Sequence, residues 1–307
     1  MQLITNYTNV FFDTNAAFTF DQLNEKEYIL NVLQELHLQL GSSFDNFCFI
    51  IFSANGIGHT PKSADQQFPG KKKVLFYLSD ESGEAARELE GSYYRIFKSY
   101  LPPGIYKNIY PFPLGQVNNI RFAESEIKKI SAREISAFFS GNLNENRIAF
   151  FKQFSWLKIP VTALKYLIRI PLIKKMLLKT VCRKQIANSF INFTYGFKQG
   201  LSAEAYKQHL LNAKIVFCPA GFISTETFRH YEAMAAGCII ISEKLPENLL
   251  YKTAPIIQVS DWKAGIAIAL KLLNNIAELE QLQQNSIDFW RKNYSESAVA
   301  GYVKIHL

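Results

Sequence analysis

The densest chemistry in this chain lies between residues 214 and 246: Lys-Ile-Val-Phe-Cys-Pro-Ala-Gly-Phe-Ile-Ser-Thr-Glu-Thr-Phe-Arg-His-Tyr-Glu-Ala-Met-Ala-Ala-Gly-Cys-Ile-Ile-Ile-Ser-Glu-Lys-Leu-Pro. An apolar strand at 214–218 stops at Pro219 and Gly221, and the pattern then predicts a helix over 225–236 with Ser224 as its cap. The free backbone N–H groups of a first helical turn, with the helix dipole behind them, favour an anion and suit a diphosphate. Arg229, one turn further along, supplies a charged donor for a phosphate oxygen. Glu232 follows Thr225 by two turns on the same face, where its carboxylate can accept from the vicinal hydroxyls of a ribose. Gly237 lets the helix stop sharply before an apolar strand at 238–242. Blander roles compete: an ordinary i, i+3 ion pair of Arg229 with Glu232, a Ser224 that only caps, and a His230 that packs rather than reacts.

Such a site needs a sheet to carry it, and the chain predicts one in each half. Short apolar runs at 9–12, 47–53 and 74–78 alternate with helical patterns at 21–40 and 84–101, the latter stopped by Pro102 and Pro103. An extended, proline-bound stretch at 110–115 ends the first half. Strands at 135–140, 189–194, 214–218 and 238–242 follow, with helices entered at 146 and spanning 203–211, 225–236, 262–274 and 276–293. Strand–helix alternation is the α/β class. The expected division is a domain over 1–118, a second over 119–285, and a terminal helix at 286–307 that returns toward the first.

Composition narrows the partners. The 307 residues carry a net charge of +8 and 48% hydrophobic residues, so anionic ligands fit and global disorder does not. Cys48, Cys182, Cys218 and Cys238 are widely spaced with no Cys-x-x-Cys pair, which excludes a zinc ribbon or a disulfide scaffold and suits a reducing compartment. Neither a signal peptide at 1–20 nor a membrane-spanning run is expected. Residues 146–203 contain no Asp or Glu but eleven Lys and Arg, mixed with Trp, Tyr, Leu, Ile and Met. An anionic membrane surface accounts for both faces of such a segment. A surface helix whose apolar face joins the core is the competing account, and no nucleic-acid motif accompanies the cations.

The run Gly221…Thr225…Phe228-Arg229-x-Tyr231-Glu232-Ala233-x-x-Ala236-Gly237-Cys238-Ile239-Ile240-Ile241 resembles the donor-binding core of exostosin-type glycosyltransferases, a family of GT-B fold. The chain departs from that pattern at Ile240, where the family has Pro, and at Ala220, where an Arg often follows the strand's Pro. The segment 138–142 with Arg147 is similar to the strand and turn that open the family's second domain, which adds Gly141 and Arg147 to the donor-binding group. Residues 77–81 are similar to an acidic turn of its first domain.

The resemblance implies two Rossmann-like domains facing a cleft. It implies transfer of a sugar from a nucleotide-sugar donor to a glycan or lipid-linked acceptor, with inversion, in surface polysaccharide or lipopolysaccharide synthesis. The nucleotide-sugar is a co-substrate, and no other cofactor is expected. The chain has no Asp-x-Asp, so the phosphates are expected to be held without metal by the helix start, Arg229, and Arg147 or Lys244. A base for the acceptor hydroxyl is expected on a first-domain loop, from Asp80, Glu81, or His59 behind Gly56 and Gly58. Placement on the cytoplasmic face of a membrane follows. A sugar-nucleotide epimerase and a non-catalytic partner subunit are the rival assignments.

Overall fold

A computed structural model describes residues 2–3, 7–13, 19–54, 60–181, 184–196 and 199–307. In chain order its strands are β1 (Gln2–Leu3), β2 (Val10–Phe12), β3 (Phe47–Ser53), β4 (Lys72–Leu78), β5 (Arg95–Lys98), β6 (Ile109–Pro111), β7 (Ile135–Asn142), β8 (Phe190–Thr194), β9 (Ala213–Cys218), β10 (Ile239–Glu243) and β11 (Ile256–Val259). The helices are α1 (Lys26–Leu40), α2 (Ile148–Phe154), α3 (Val161–Leu167), α4 (Pro171–Leu178), α5 (Ala203–Asn212), α6 (Phe228–Ala235), α7 (Trp262–Leu273), α8 (Ile276–Asn293) and α9 (Glu296–His306). The chain divides into two compact units. One comprises Met1–Asn119, Pro246–Thr253 and Arg291–Leu307, and the other Ile120–Leu245 and Ala254–Trp290. The segment Pro246–Thr253 therefore belongs to the first unit, where the sequence had placed it in the second.

The first unit is built on one sheet in the order β1-β2-β3-β4-β5-β6, parallel from β2 to β6 with β1 antiparallel at the edge. All seven residues of β3 are buried, because both faces of a central parallel strand are covered. Cys48, Ile50 and Phe52 join Leu75, Tyr77, Leu89, Tyr93 and Ile96 on one face. On the other, Phe49, Phe76, Phe97 and Phe112 form a chain of rings with centroids 5.3–6.4 Å apart. Helix α9 packs along α1, and the Tyr28 hydroxyl donates to the Tyr294 carbonyl at 2.6 Å.

The helix expected over 84–101 does not form. A single 3-10 turn, Arg87–Leu89, is followed by β5. The run Tyr93-Tyr94-Arg95-Ile96-Phe97 is rich in strand formers, and pairing with β4 and β6 overrides the helix-like spacing of Leu89, Tyr93 and Ile96. The stretch at 110–115 likewise opens inside a strand, β6. Pro111 is tolerated there because β6 is the edge of the sheet and needs no donor on its outer side.

The second unit has a five-stranded parallel sheet in the order β11-β10-β9-β7-β8. The chain steps from β7 outward to β8, then returns to the far side of β7 at β9. The carboxyl ends of β7 and β9 therefore flank a topological switch point, the place where open α/β sheets bind ligands. Phe139, Phe150, Phe154, Phe193, Phe217 and Trp262 fill the core beneath it. Helix α6 ends at Gly237 with φ +65°, and the N–H groups of Gly237 and Cys238 return to Met234 and Ala233. Among the described residues no helix is long and apolar enough to cross a membrane.

Candidate functional site

Two arginines meet at the switch point. Arg147 follows β7 and is buried, with Nε donating to the Ala220 carbonyl at 2.7 Å and Nη1 to the Asn142 carbonyl at 2.8 Å. Arg229, in the first turn of α6, stacks on Phe139 at 4.9 Å and donates from Nη2 to the Ser140 carbonyl at 2.7 Å. Its Nε and Nη1 are buried and meet no acceptor. Gly141 lies between the two side chains. A Cβ there would stand 2.8 Å from Arg229 Nη2 and 3.1 Å from Arg147 Nη1, so any larger residue crowds both guanidinium groups where they now lie. Two positive charges, one with spare donors, thus converge on the carboxyl end of β7.

The loop after β9 is tied to the same point. Asn144 Nδ2 donates to the Gly221 carbonyl at 3.2 Å and Asn146 Nδ2 to the Phe222 carbonyl at 2.6 Å. The Gly221 N–H reaches the Ser224 carbonyl at 2.7 Å, and Ser224 Oγ accepts from the Glu226 N–H at 3.0 Å. Ser224 therefore shapes the loop and does not cap the helix. The helix starts at Phe228 behind Thr227, three residues later than the sequence indicated. Thr225 lies in the loop, so the shared helix face expected for Thr225 and Glu232 does not exist.

His230 fixes that later start. The Thr227 N–H donates to His230 Nδ1 at 3.2 Å, which leaves Nε2 to donate to Ser242 Oγ at 2.7 Å; Ser242 in turn donates to the Cys218 carbonyl. Burial holds the imidazole pKa down to about 4, so the ring is neutral and packed, in agreement with the non-reacting role. Glu232 is 3% exposed and engages Tyr206 of α5, whose hydroxyl is pushed well up in pKa by burial and then by that carboxylate. Its carboxylate is buried beside Tyr206. The structure thus assembles Gly141, Arg147, Gly221, Ser224, Thr225 and Arg229 around the ends of β7 and β9, and sets Glu232 deeper.

A cavity of about 560 Å³ opens beside the loop, lined by Thr225, Glu243, Lys244, Lys152, Ser260 and Trp262 among others. Glu243 closes β10 there. Trp262 Nε1 donates to its Oε1 at 2.6 Å, and burial pushes the carboxyl pKa up. Sequence reasoning missed Glu243, since nothing in the local pattern separates a strand-end carboxylate at a cavity from one in solvent. Asn144 did carry a signal: an Asn three residues before Arg147 is a cap pattern, and its Oδ1 accepts from the Arg147 N–H. Among the described residues no group of three or more His, Cys, Asp or Glu side chains is placed to hold a metal ion.

The three first-unit candidates fare differently. His59 lies outside the described residues, as do Gly56 and Gly58. Asp80 is buried and ion-paired, with Lys98 Nζ at 2.6 Å from Oδ2 and Ser82 Oγ bonded to Oδ1. It ties the loop after β4 to β5 rather than offering an open carboxylate. Glu81 is half-buried in the same loop. A carboxyl that sequence reasoning passed over, Glu25, sits just before α1. Ser79 Oγ donates to its Oε1 at 2.7 Å, Oε2 meets no partner, and burial raises its pKa. Ser53, at the end of β3 and in register with Leu78, likewise has a buried hydroxyl without a partner. The carboxyl edge of β3 and β4 therefore carries a protonatable group with a buried, unpartnered oxygen.

No protein-family profile matches the chain, and no curated protein matches it. Solved structures do. HepE from Anabaena, in complex with UDP and glucose, is 11% identical with a TM-score of 0.54 over 96% of this chain and 98% of that one. A TarM variant from S. aureus, in complex with fondaparinux, alpha-GlcNAc-glycerol and UDP, is 12% identical with a TM-score of 0.50 over 91% of this chain. The chain spans 59% of TarM's length. At such identities the likeness establishes the fold, which is GT-B.

Proposed function

We propose that this chain is a glycosyltransferase that takes a sugar from a nucleotide-sugar donor. The observation that carries the proposal is the pair of guanidinium groups packed around Gly141 at the switch point, with Arg229 Nε and Nη1 lacking acceptors. A buried donor without a partner is costly, and a diphosphate oxygen satisfies it with a charge-assisted bond. The same charge stabilises the diphosphate as it leaves, when its negative charge is greatest. Uridine diphosphate sugars are the first donors to test, because the HepE and TarM structures hold UDP. Two arginines in this position support phosphate binding without a metal.

The acceptor is a glycan or a lipid-linked glycan, in assembly of a surface polysaccharide or lipopolysaccharide. The exostosin-like run from Gly221 to Ile241 supports inversion, which needs a base. Glu25, with an unpartnered oxygen and a raised pKa, supports that role better than the ion-paired Asp80. Calorimetric titration of nucleoside diphosphates tests the donor site. UDP or a related diphosphate is expected to bind, and Arg229→Ala to weaken binding by about 1.5–3 kcal/mol. Equal affinity in wild type and variant would remove Arg229 from the site.

A further inference from the structure

We propose that α3 and α4 of the second unit form a docking surface for an anionic lipid bilayer. Single exposed apolar side chains are ordinary on a protein surface, but a concentration of them is not. Of thirteen large apolar side chains exposed among the described residues, five fall within residues 156–176: Trp156, Tyr166, Ile170, Leu172 and Met176. The core has taken what it needs from the same segment, since Leu164, Ile168 and Leu177 are buried against Phe150 and its neighbours. The expected competition between a membrane face and a core face is thus resolved as both.

Helix α4 displays this clearly. Leu177 and the half-buried Ile173 face inward one turn apart, and Leu172, Lys175, Met176 and Lys179 form the outward stripe at i, i+3, i+4 and i+7. The outer stripe of a helix in water is ordinarily polar throughout. Here it alternates apolar and cationic groups, and exposed Lys158 extends the charge beside Trp156. The acid-free interval 146–203 leaves no carboxylate of its own to repel a phosphate headgroup. Helices of 7 and 8 residues are far too short to span a bilayer, so they lie in its surface with Trp156 and Tyr166 at headgroup depth.

The docking element is fastened to the donor-site loop. Lys174 Nζ donates to Asn142 Oδ1 at 3.2 Å, and Arg169 forms a two-point ion pair with Glu145 at 2.8 and 2.9 Å. Docking itself is independent of the transferase assignment; the consequence that the acceptor is lipid-linked rests on it. Binding is tested by sedimentation of the full chain with phosphatidylglycerol-containing vesicles and with pure phosphatidylcholine vesicles. Strong partition into the anionic vesicles only, released by salt, is expected. Leu172→Ser with Met176→Ser, and separately Lys175→Glu with Lys179→Glu, should each lower that partition about tenfold or more. UDP affinity and turnover of a soluble acceptor should stay unchanged, so a failed transferase assignment shows up there and not in sedimentation. Equal binding to both vesicles, no binding, or binding indifferent to all four substitutions overturns the proposal. So does a solution dimer that Leu172→Ser with Met176→Ser dissociates, because the face is then an interface between copies.

Discussion

Replacing Gly141 by Ala adds one methyl group where two cations converge. The new Cβ lies 2.8 Å from Arg229 Nη2, 3.1 Å from Arg147 Nη1 and 3.3 Å from Phe139 Cζ. Relaxed contacts need about 3.5 Å or more, so the Arg229 guanidinium must retreat by roughly 0.7 Å. Its 2.7 Å bond to the Ser140 carbonyl is then lengthened and weakened, and its free nitrogens shift from the position proposed to meet a diphosphate. Losing one charge-assisted bond costs about 1.5–3 kcal/mol, which is about ten- to a hundredfold in Kd. The fold should barely notice. The obstructing atoms are ends of flexible side chains, the φ at residue 141 is not left-handed, and Ala lowers the entropy of the unfolded chain by an amount worth about 0.4–1 kcal/mol. Gly237→Ala is the control. There φ is +65° and the added methyl meets Ile287 at 2.9 Å, so stability falls while the Arg229 contacts are untouched. Calorimetry with UDP and thermal melts separate the two. In an Arg229→Ala background Gly141→Ala should cost little further affinity, since both remove the same contact. Wild-type affinity in Gly141→Ala, with the melting temperature also unchanged, would refute the assignment of Arg229 to the phosphate.

Three further outcomes are expected. Because burial holds His230 near a pKa of about 4 against 6.5 for the free side chain, the folded state binds fewer protons than the unfolded one between those values. Stability should therefore fall as pH drops through that window, by on the order of 3 kcal/mol in full; a His230→Gln variant, less stable at pH 7.5, should show a shallower fall in urea titrations. Glu25 carries the opposite sign. Its folded pKa is raised above 4.5, so ionisation above that pH works against the fold, and Glu25→Gln should melt higher than wild type at neutral pH and converge with it in acid. A lower melting point at pH 7 would contradict the burial argument, and unchanged sugar transfer in the same variant would exclude Glu25 as the base. Sugar transfer should survive excess EDTA; complete loss restored by added magnesium or manganese would show that metal carries the phosphate charge.

The sequence revealed most where burial leaves no choice. Phe-Cys-Phe-Ile-Ile-Phe-Ser reads as a strand covered on both faces, and β3 matches that run at both ends. Gly237 before an apolar run reads as a helix stop, and its left-handed φ agrees. It revealed least where several residues offer the same local chemistry. Ser224, Thr225 and Thr227 can each cap a helix, and the choice fell to Thr227 because His230 reaches back to its N–H while reaching forward to Ser242 of β10, a contact between helix and sheet. Spacing also could not say how deeply α6 is buried, so the burial of Glu232 beside Tyr206 was not legible. Glu25 and Ser79 are far apart in sequence and meet only through the sheet, which leaves no local trace.

The first unit is not made of consecutive chain. Helix α9 lies along α1, Tyr94 donates to the Leu307 carbonyl, Arg95 to that of His306, and Tyr110 stacks on His306, so β5 and β6 complete their contacts only with residues 291–307. During synthesis every residue of the second unit leaves the ribosome before that segment does. The second unit can therefore fold first, reversing the usual order of domains. Until synthesis reaches α9, the strip of α1 that it covers stays open to water and to chaperones. A stalled or nicked chain that lacks α9 would expose the same strip of α1.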